Sequence, residues 1–300
     1  MKVIQCDNVT KAYKSFNALK DLSFSIEENT ITGLIGRNGA GKTTLLKLLS
    51  GFLKPTGGEI KVFDENPFNN LSVSSNTIFI DENMSFSRQL TLDEILCAAK
   101  SFYPNFDETM SRKLLEYFSI NKSRNHSELS KGMTSTFNMI LGIASHCSLT
   151  IMDEATTGMD AAVRKEIYKI ILKDYIENPR SILISSHHLE ELEDILEDIL
   201  LLKDGTKCLH MPVVDLKEYA IGLSGKEAAV KELIKDRNVL YEESFGKDSI
   251  YLVVETRNFQ EDLRAAKTVN IDAKPVSTND LCIYLTSPRE GGINYVFSKK

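Results

Sequence analysis

The stretch Gly36-Arg37-Asn38-Gly39-Ala40-Gly41-Lys42-Thr43 fits the pattern Gly-x-x-x-x-Gly-Lys-[Ser/Thr]. It follows the apolar run Ile31 to Ile35 and opens the helical pattern Thr44 to Ser50. No other feature restricts the fold as much. Strand, glycine loop and helix start must succeed one another so that backbone N–H groups converge on phosphate oxygens at the positive end of a helix. The spacing therefore predicts an α/β fold with a nucleotide-phosphate cradle made by Gly36, Asn38, Gly39, Gly41 and Thr44. Lys42 reaches the β- and γ-phosphates there, and the Thr43 hydroxyl is placed to ligate magnesium.

The rest of the chain is divided around this cradle. Leu22, Phe24 and Ile26 alternate with polar residues, and Glu59 to Phe63 follows a Gly57-Gly58 turn, so both read as antiparallel strands. Thr77 to Ile80 reads as a buried strand, and Leu92 to Lys100, Glu108 to Phe118 and Ser130 to Cys147 read as helices of an insert spanning about 84–147. Alternation then resumes with strand Leu149 to Asp153, helix Ala161 to Ile176, strand Ser181 to Ser185, helix Leu189 to Leu196 and strand Ile199 to Lys203. That is the pattern of a parallel sheet with crossover helices. In the last of these helices Leu189, Leu192 and Leu196 form the expected buried stripe and the acidic residues the wetted face.

From about residue 215 the order becomes βαββαβ: strands Tyr219 to Leu223, Val239 to Phe245, Ile250 to Glu255 and Ile271 to Val276, with helices Lys226 to Ile234 and Phe259 to Ala266. A Gly246-Lys247 turn joins the second and third strands, and a final helix is capped at Ser277 or Thr278. The expected organisation is an α/β P-loop core over 1–214, with an antiparallel β subdomain and a helical insert. A small α+β ferredoxin-like domain follows over 215–300. Its expected role is bracing rather than ligand sensing.

Composition narrows the function. A formal charge of -6 and a pI near 5.5 disfavour a broad nucleic-acid surface, which needs clustered Lys and Arg. Five cysteines lack Cys-x-x-Cys spacing, and no apolar signal region opens the chain, so a reduced, cytoplasmic setting is expected. The apolar window Leu189 to Leu202 is broken by acids that include Glu191, Glu193, Asp194, Glu197 and Asp198, so any service to a membrane runs through a partner.

Two further clusters complete a triphosphate site. The strand Leu149 to Met152 delivers Asp153 and Glu154 to its C-terminal edge, where ligands sit in open α/β sheets. Asp153 is suited to the metal and Glu154 to polarising the water that attacks the γ-phosphoryl group. Leu129-Ser130-Lys131-Gly132-Met133 lies at the start of a long helix, where the Ser130 hydroxyl, the Gly132 N–H and the helix dipole make a second anion site. Two phosphate-facing helices in one chain suggest a site shared between two copies.

With these residues in view, the sequence resembles the ATP-binding subunits of ABC transporters, whose Leu-Ser-Gly-Gly-Gln signature is similar to residues 129–133. The resemblance implies ATP and Mg2+ as cofactors, hydrolysis as the activity, and two partners: a second ATP-binding subunit and an integral-membrane permease. It implies that Tyr13 stacks on adenine, that Asp160 is the D-loop aspartate, and that His187, after the strand Ser181 to Ser185, contacts the γ-phosphate. It also places Glu82 where a glutamine contacting magnesium and water is usual. Lys131 and Met133 stand where Gly and Gln are usual.

These departures, with Ala155 after Glu154, resemble a bacterial branch that pairs with ABC-2-type permeases, often in export. The implied location is the inner face of the cell membrane. The stretch Glu82 to Gln89 is the expected coupling surface, with Met84, Phe86, Phe102 and Tyr103 lining a groove for a permease helix. A soluble ABC ATPase of translation or repair, and a nucleotide-gated binding protein with little turnover, remain as alternatives.

Overall fold

The computed structural model describes residues 1–186, 189–235, 237–245 and 248–287. His187 and the Gly246-Lys247 turn lie outside the described residues. The chain divides into two compact units, Met1–His210 and Met211–Lys300.

In the first unit, β1 (Lys2–Tyr13), β2 (Phe16–Glu27) and β3 (Ile31–Gly36) precede α1 (Lys42–Leu49) and β4 (Gly57–Val62). Strands β2, β1 and β4 form an antiparallel sheet in that order. A short helix α2 (Leu71–Ser75), capped by Asn70 and not evident in the sequence, leads to β5 (Thr77–Asp81). Then come α3 (Leu92–Phe102), α4 (Glu108–Tyr117) and α5 (Lys131–Ala144). Their starts follow capping chemistry: Thr91 and Glu94 make a capping box on α3, Asp107 caps α4 and Ser130 caps α5.

The chain continues through β6 (Leu149–Asp153), α6 (Ala161–Glu177), β7 (Ser181–Ser185), α7 (Leu189–Leu192), β8 (Asp198–Lys203) and β9 (Thr206–Pro212). Helix α7 is a single turn that passes into a 3-10 turn, Glu193–Ile195, rather than the expected helix to Leu196. Leu189, Leu192, Ile195 and Leu196 are nonetheless all buried. Apolar residues three apart satisfy either winding, so periodicity alone does not separate them.

The six-stranded sheet runs β5-β6-β7-β3-β8-β9, with β5, β6, β7, β3 and β8 parallel. Strands β6 and β7 are buried at every position, as strands covered on both faces must be. Strand β9 was not expected, because after the Asp204-Gly205 turn only Leu209 of its residues is fully buried.

Helix α1 is the keystone of this unit. Leu45, Leu46, Leu48 and Leu49 are all at 0% exposure, within one core cluster that also holds Ile4, Leu22 and Ile60 from the antiparallel sheet and Leu34, Ile151, Leu183 and Leu200 from the parallel one. Thr43 is exposed and Thr44 and Lys47 are half-buried, but the leucines between and after them are fully enclosed by the two sheets. At about 1.5–3 kcal/mol per buried Leu, the four contribute on the order of 6–12 kcal/mol before entropy is counted. The helix that carries the glycine loop is therefore fixed in place.

The second unit comprises α8 (Val213–Lys217), β10 (Ala220–Lys226), α9 (Glu227–Leu233), β11 (Val239–Phe245), β12 (Ser249–Glu255), α10 (Phe259–Thr268), β13 (Asp272–Pro275) and α11 (Thr278–Thr286). Its sheet is antiparallel in the order β11-β12-β10-β13, the arrangement that a βαββαβ chain of ferredoxin-like type makes. Ile221, Leu223, Ile250, Leu252 and Val254 of the sheet pack on Val230 and Ala266 of the helices. Ser277 caps α11.

Candidate functional site

The glycine loop owes its shape to Gly41, which sits at the N-cap of α1 with φ 102°. A Cβ there would lie 2.6 Å from the Ala18 carbonyl oxygen, so no side chain is accommodated. No side chain caps α1, whereas Ser130 and Asp160 cap α5 and α6. Its first-turn N–H groups are thus left for a ligand. Arg37, Asn38, Gly39 and Thr43 are exposed at this end, while Ala40 is buried and accepts a hydrogen bond from the Gly205 amide at 3.2 Å.

Strand register brings the acids to the same edge. Asp81 pairs with Asp153 and Asp153 with Ser185, while Ser185 pairs with Leu34, just before the loop. The Ser185 hydroxyl donates to Asp153 Oδ1 at 2.6 Å, and the Glu154 amide donates to Ser185 Oγ at 3.1 Å and to the Ser185 carbonyl at 3.2 Å. Glu154 itself has φ 51°, an uncommon setting for a glutamate, and it turns the chain out of β6 at this point.

Lys42 is 7% exposed, with Nζ 2.7 Å from the Gly36 carbonyl and 3.9 Å from Glu154 Oε1. Burial holds its pKa below the usual lysine range, opposed by the charges of Glu154 and Asp153. Lys42, Asp153 and Glu154 are therefore brought together at one edge of the sheet. Ser185 was missed. Its only signal was a hydroxyl ending the strand next to the acidic one.

Ser130, Gly132 and Asp160 are brought together elsewhere. With Met133, Gly158 and Met159 they line a cavity of about 440 Å³ that contains no residue of the glycine loop. Asp160 accepts from the Val163 amide at 2.9 Å and Ser130 Oγ from the Met133 amide at 3.4 Å. Tyr13 is 45% exposed at the tip of the β1–β2 hairpin, facing Phe16, itself 61% exposed and not singled out from the sequence. Glu82, one residue beyond β5, places its carboxylate 3.5 Å from Lys131 Nζ.

Met84, Phe102 and Tyr103 do line a groove, of about 520 Å³, together with Phe52 and Phe79. Phe86 does not. Its ring packs edge-on against His126 and Phe137, at 5.0 and 6.2 Å, so it belongs to the packing beneath α5.

The donors at the loop are all oxygens: the exposed Thr43 hydroxyl and the Asp153 carboxylate oriented by Ser185. Such a set fits a hard cation that takes its remaining ligands from water and phosphate, as Mg2+ does. Among the described residues no cluster of three or more His, Cys, Asp or Glu could hold a metal by itself. No helix of the described residues is long and apolar enough to cross a membrane.

Comparison with known proteins agrees with this geometry. Residues 19–157 match the ABC transporter family. The chain is 30% identical over 238 residues to the ABC transporter ATP-binding protein YtrB of Bacillus subtilis, covering 79% of this chain and 82% of that protein. It is also 30% identical over 219 residues to the bacitracin transport ATP-binding protein BcrA of Bacillus licheniformis, covering 72% of each. Among solved structures, an ATP-binding subunit of an ABC transporter superposes with a TM-score of 0.65 at 23% identity, over 72% of this chain and 92% of that one. A cassette dimer in a post-hydrolysis state with ADP and Pi superposes at 0.61 and 20% identity, over 70% and 98%.

Proposed function

Since the chain belongs to the ABC transporter family as an ATP-binding subunit and ATPase, we propose that it powers a membrane permease through nucleotide-driven closing and reopening of a pair of such subunits. One observation carries this reading. The loop with Lys42, Asp153 and Glu154 forms one half of a site, and Ser130, Gly132 and Asp160 form another around a separate cavity. Each half lacks what the other has, so two copies set head to tail make two whole sites. The second subunit is either identical or a related chain.

The roles follow from the atoms. The α1 amides and Lys42 hold the β- and γ-phosphates, and Tyr13 stacks on the base. Thr43 and Asp153 would hold Mg2+, which neutralises developing charge on the phosphates. Glu154 orients and deprotonates the attacking water, with His187 and Glu82 at the γ-phosphate end. Cleavage separates the bridging triphosphate into diphosphate and phosphate, and the interface loosens.

The aromatic groove with exposed Phe52 and Phe102 fits the apolar end of a permease helix. By likeness to the bacitracin-transport relative, the cargo is a peptide, drug or envelope-active compound, exported by an ABC-2-type permease. The subunit then works at the inner face of the cell membrane.

The test is nucleotide binding and size-exclusion chromatography on Lys42→Ala and Glu154→Gln. Lys42→Ala should lose ATP binding while staying folded. Glu154→Gln should bind ATP, turn over at least about 100-fold more slowly, and run as a dimer with ATP. A Glu154→Gln protein that stays monomeric with saturating ATP sinks the shared-site reading.

A further inference from the structure

Two of the positions at which the sequence departs from the usual motifs, Glu82 and Lys131, meet each other. Glu82 stands where a glutamine is usual and Lys131 where a glycine is usual, and their charged ends are 3.5 Å apart. Each change alone would be costly. Glu82 adds a fourth carboxylate beside Asp81, Asp153 and Glu154 at the edge that receives a polyanion, and Lys131 adds a long side chain to a helix start that must approach phosphate.

The stem of Lys131 is seated as well as its charge. It crosses Gly158, where an added Cβ would lie 2.8 Å from Lys131 Cγ and 3.0 Å from Cδ, so a larger residue there would push the stem aside. Nearby, Ser135 Oγ donates to the Thr157 carbonyl at 2.7 Å. One side chain thus touches three pieces: the start of α5, the loop that carries Asp160, and the loop after β5.

We propose that Lys131 is a positioning residue for ATP hydrolysis, neutralising Glu82 and tying the loop after β5 to the Asp160 loop across the start of α5. The inference rests on the phosphate-site reading above. It adds that the Glu82 charge is tolerated beside the triphosphate because Lys131 offsets it.

The test is a double-mutant cycle on the full chain with Glu82→Gln, Lys131→Met and both, reading KM for ATP, kcat and their salt dependence. Methionine keeps an unbranched stem over Gly158 and removes only the charge. For a half-exposed pair, Lys131→Met should raise KM about two- to fivefold with less change in kcat. In the Glu82→Gln background the same change should leave KM within about 1.5-fold. Raising KCl to about 0.5 M should shrink the difference between wild type and Lys131→Met. The reversal Glu82→Lys with Lys131→Glu should come closer to wild type than either single reversal.

Independent, salt-insensitive effects of the two changes would overturn the proposal, as would a reversed pair no better than its singles. Failure of the phosphate-site reading looks different. In that case Lys42→Ala keeps wild-type ATP affinity, whatever the cycle shows.

Discussion

Ser185→Ala is the sharpest probe of how the acids are held. Ser185 is 1% exposed, and its hydroxyl sits between Asp153 Oδ1 at 2.6 Å and the Glu154 amide at 3.1 Å. Alanine removes the donor to a carboxylate that is itself 4% exposed. The Glu154 amide keeps the Ser185 carbonyl at 3.2 Å and is not orphaned. The loss is therefore one hydrogen bond to a buried charge, about 1.5–3 kcal/mol. In a unit of this size each kcal/mol lowers Tm by about 2–4 °C, which gives a fall of about 3–12 °C by scanning fluorimetry. Turnover should drop about 10–100-fold, as when a group that orients a ligand is lost. Ser185→Thr separates the two effects. It keeps the hydroxyl but crowds a full site, so Tm should fall while kcat stays nearer wild type. A Ser185→Ala enzyme with kcat within about twofold of wild type would refute the argument that this hydroxyl aligns Asp153 and Glu154.

Gly41→Ala places a Cβ 2.6 Å from a backbone oxygen at φ 102°. It should cost at least about 2 kcal/mol and abolish ATP binding, measured by denaturant titration and isothermal calorimetry. Asp174 is 5% exposed, 2.8 Å from His146 Nε2 and 2.6 Å from Arg180 Nη2. Burial pushes its carboxyl upward, but the His146 hydrogen bond and the Arg180 charge outweigh this and hold its pKa below the usual value. Asp174→Asn should lose about 3 kcal/mol by urea denaturation at neutral pH. The gap should hold above about pH 4 and close as pH falls through the lowered pKa, because only the ionised form carries the stabilisation. Ser130→Asp keeps a side chain able to cap α5 and adds a negative charge, so stability should hold while ATP-dependent dimerisation on size-exclusion chromatography disappears.

The elements that could be read from the chain are those whose signal is local. The glycine loop, the all-apolar strands β6 and β7, and the capped starts of α3, α4 and α5 each carry their cause in adjacent residues. Phe86 was misjudged because an aromatic near a loop looks the same in sequence whether it faces solvent or His126 and Phe137. Strand β9 and helix α2 escaped because each buries too little to leave a period. Ser185 could not be found by spacing. Its contact with Asp153 spans 32 positions and exists only because β6 and β7 are parallel neighbours in that register. The same holds for Glu82 and Lys131, each visible as a departure, whose charges are seen to answer one another only once the strand and helix ends are in place.

The capping bonds of the second half-site also decide which groups can face phosphate. Ser130 Oγ accepts from the Met133 amide, which uses a lone pair and leaves its O–H to donate outward. A cap of that kind aims a donor at an anion while stabilising its own helix. Asp160 caps α6 in the same way through Oδ1, but an ionised carboxylate has only acceptors to offer. Its second oxygen suits an N–H or hydroxyl of a facing subunit and repels a phosphate. In the proposed shared site, Ser130 would read the nucleotide and Asp160 the protein around it. Both lie on one cavity, so in the shared-site arrangement a single docking event engages them together, and neither alone would report a correctly loaded site.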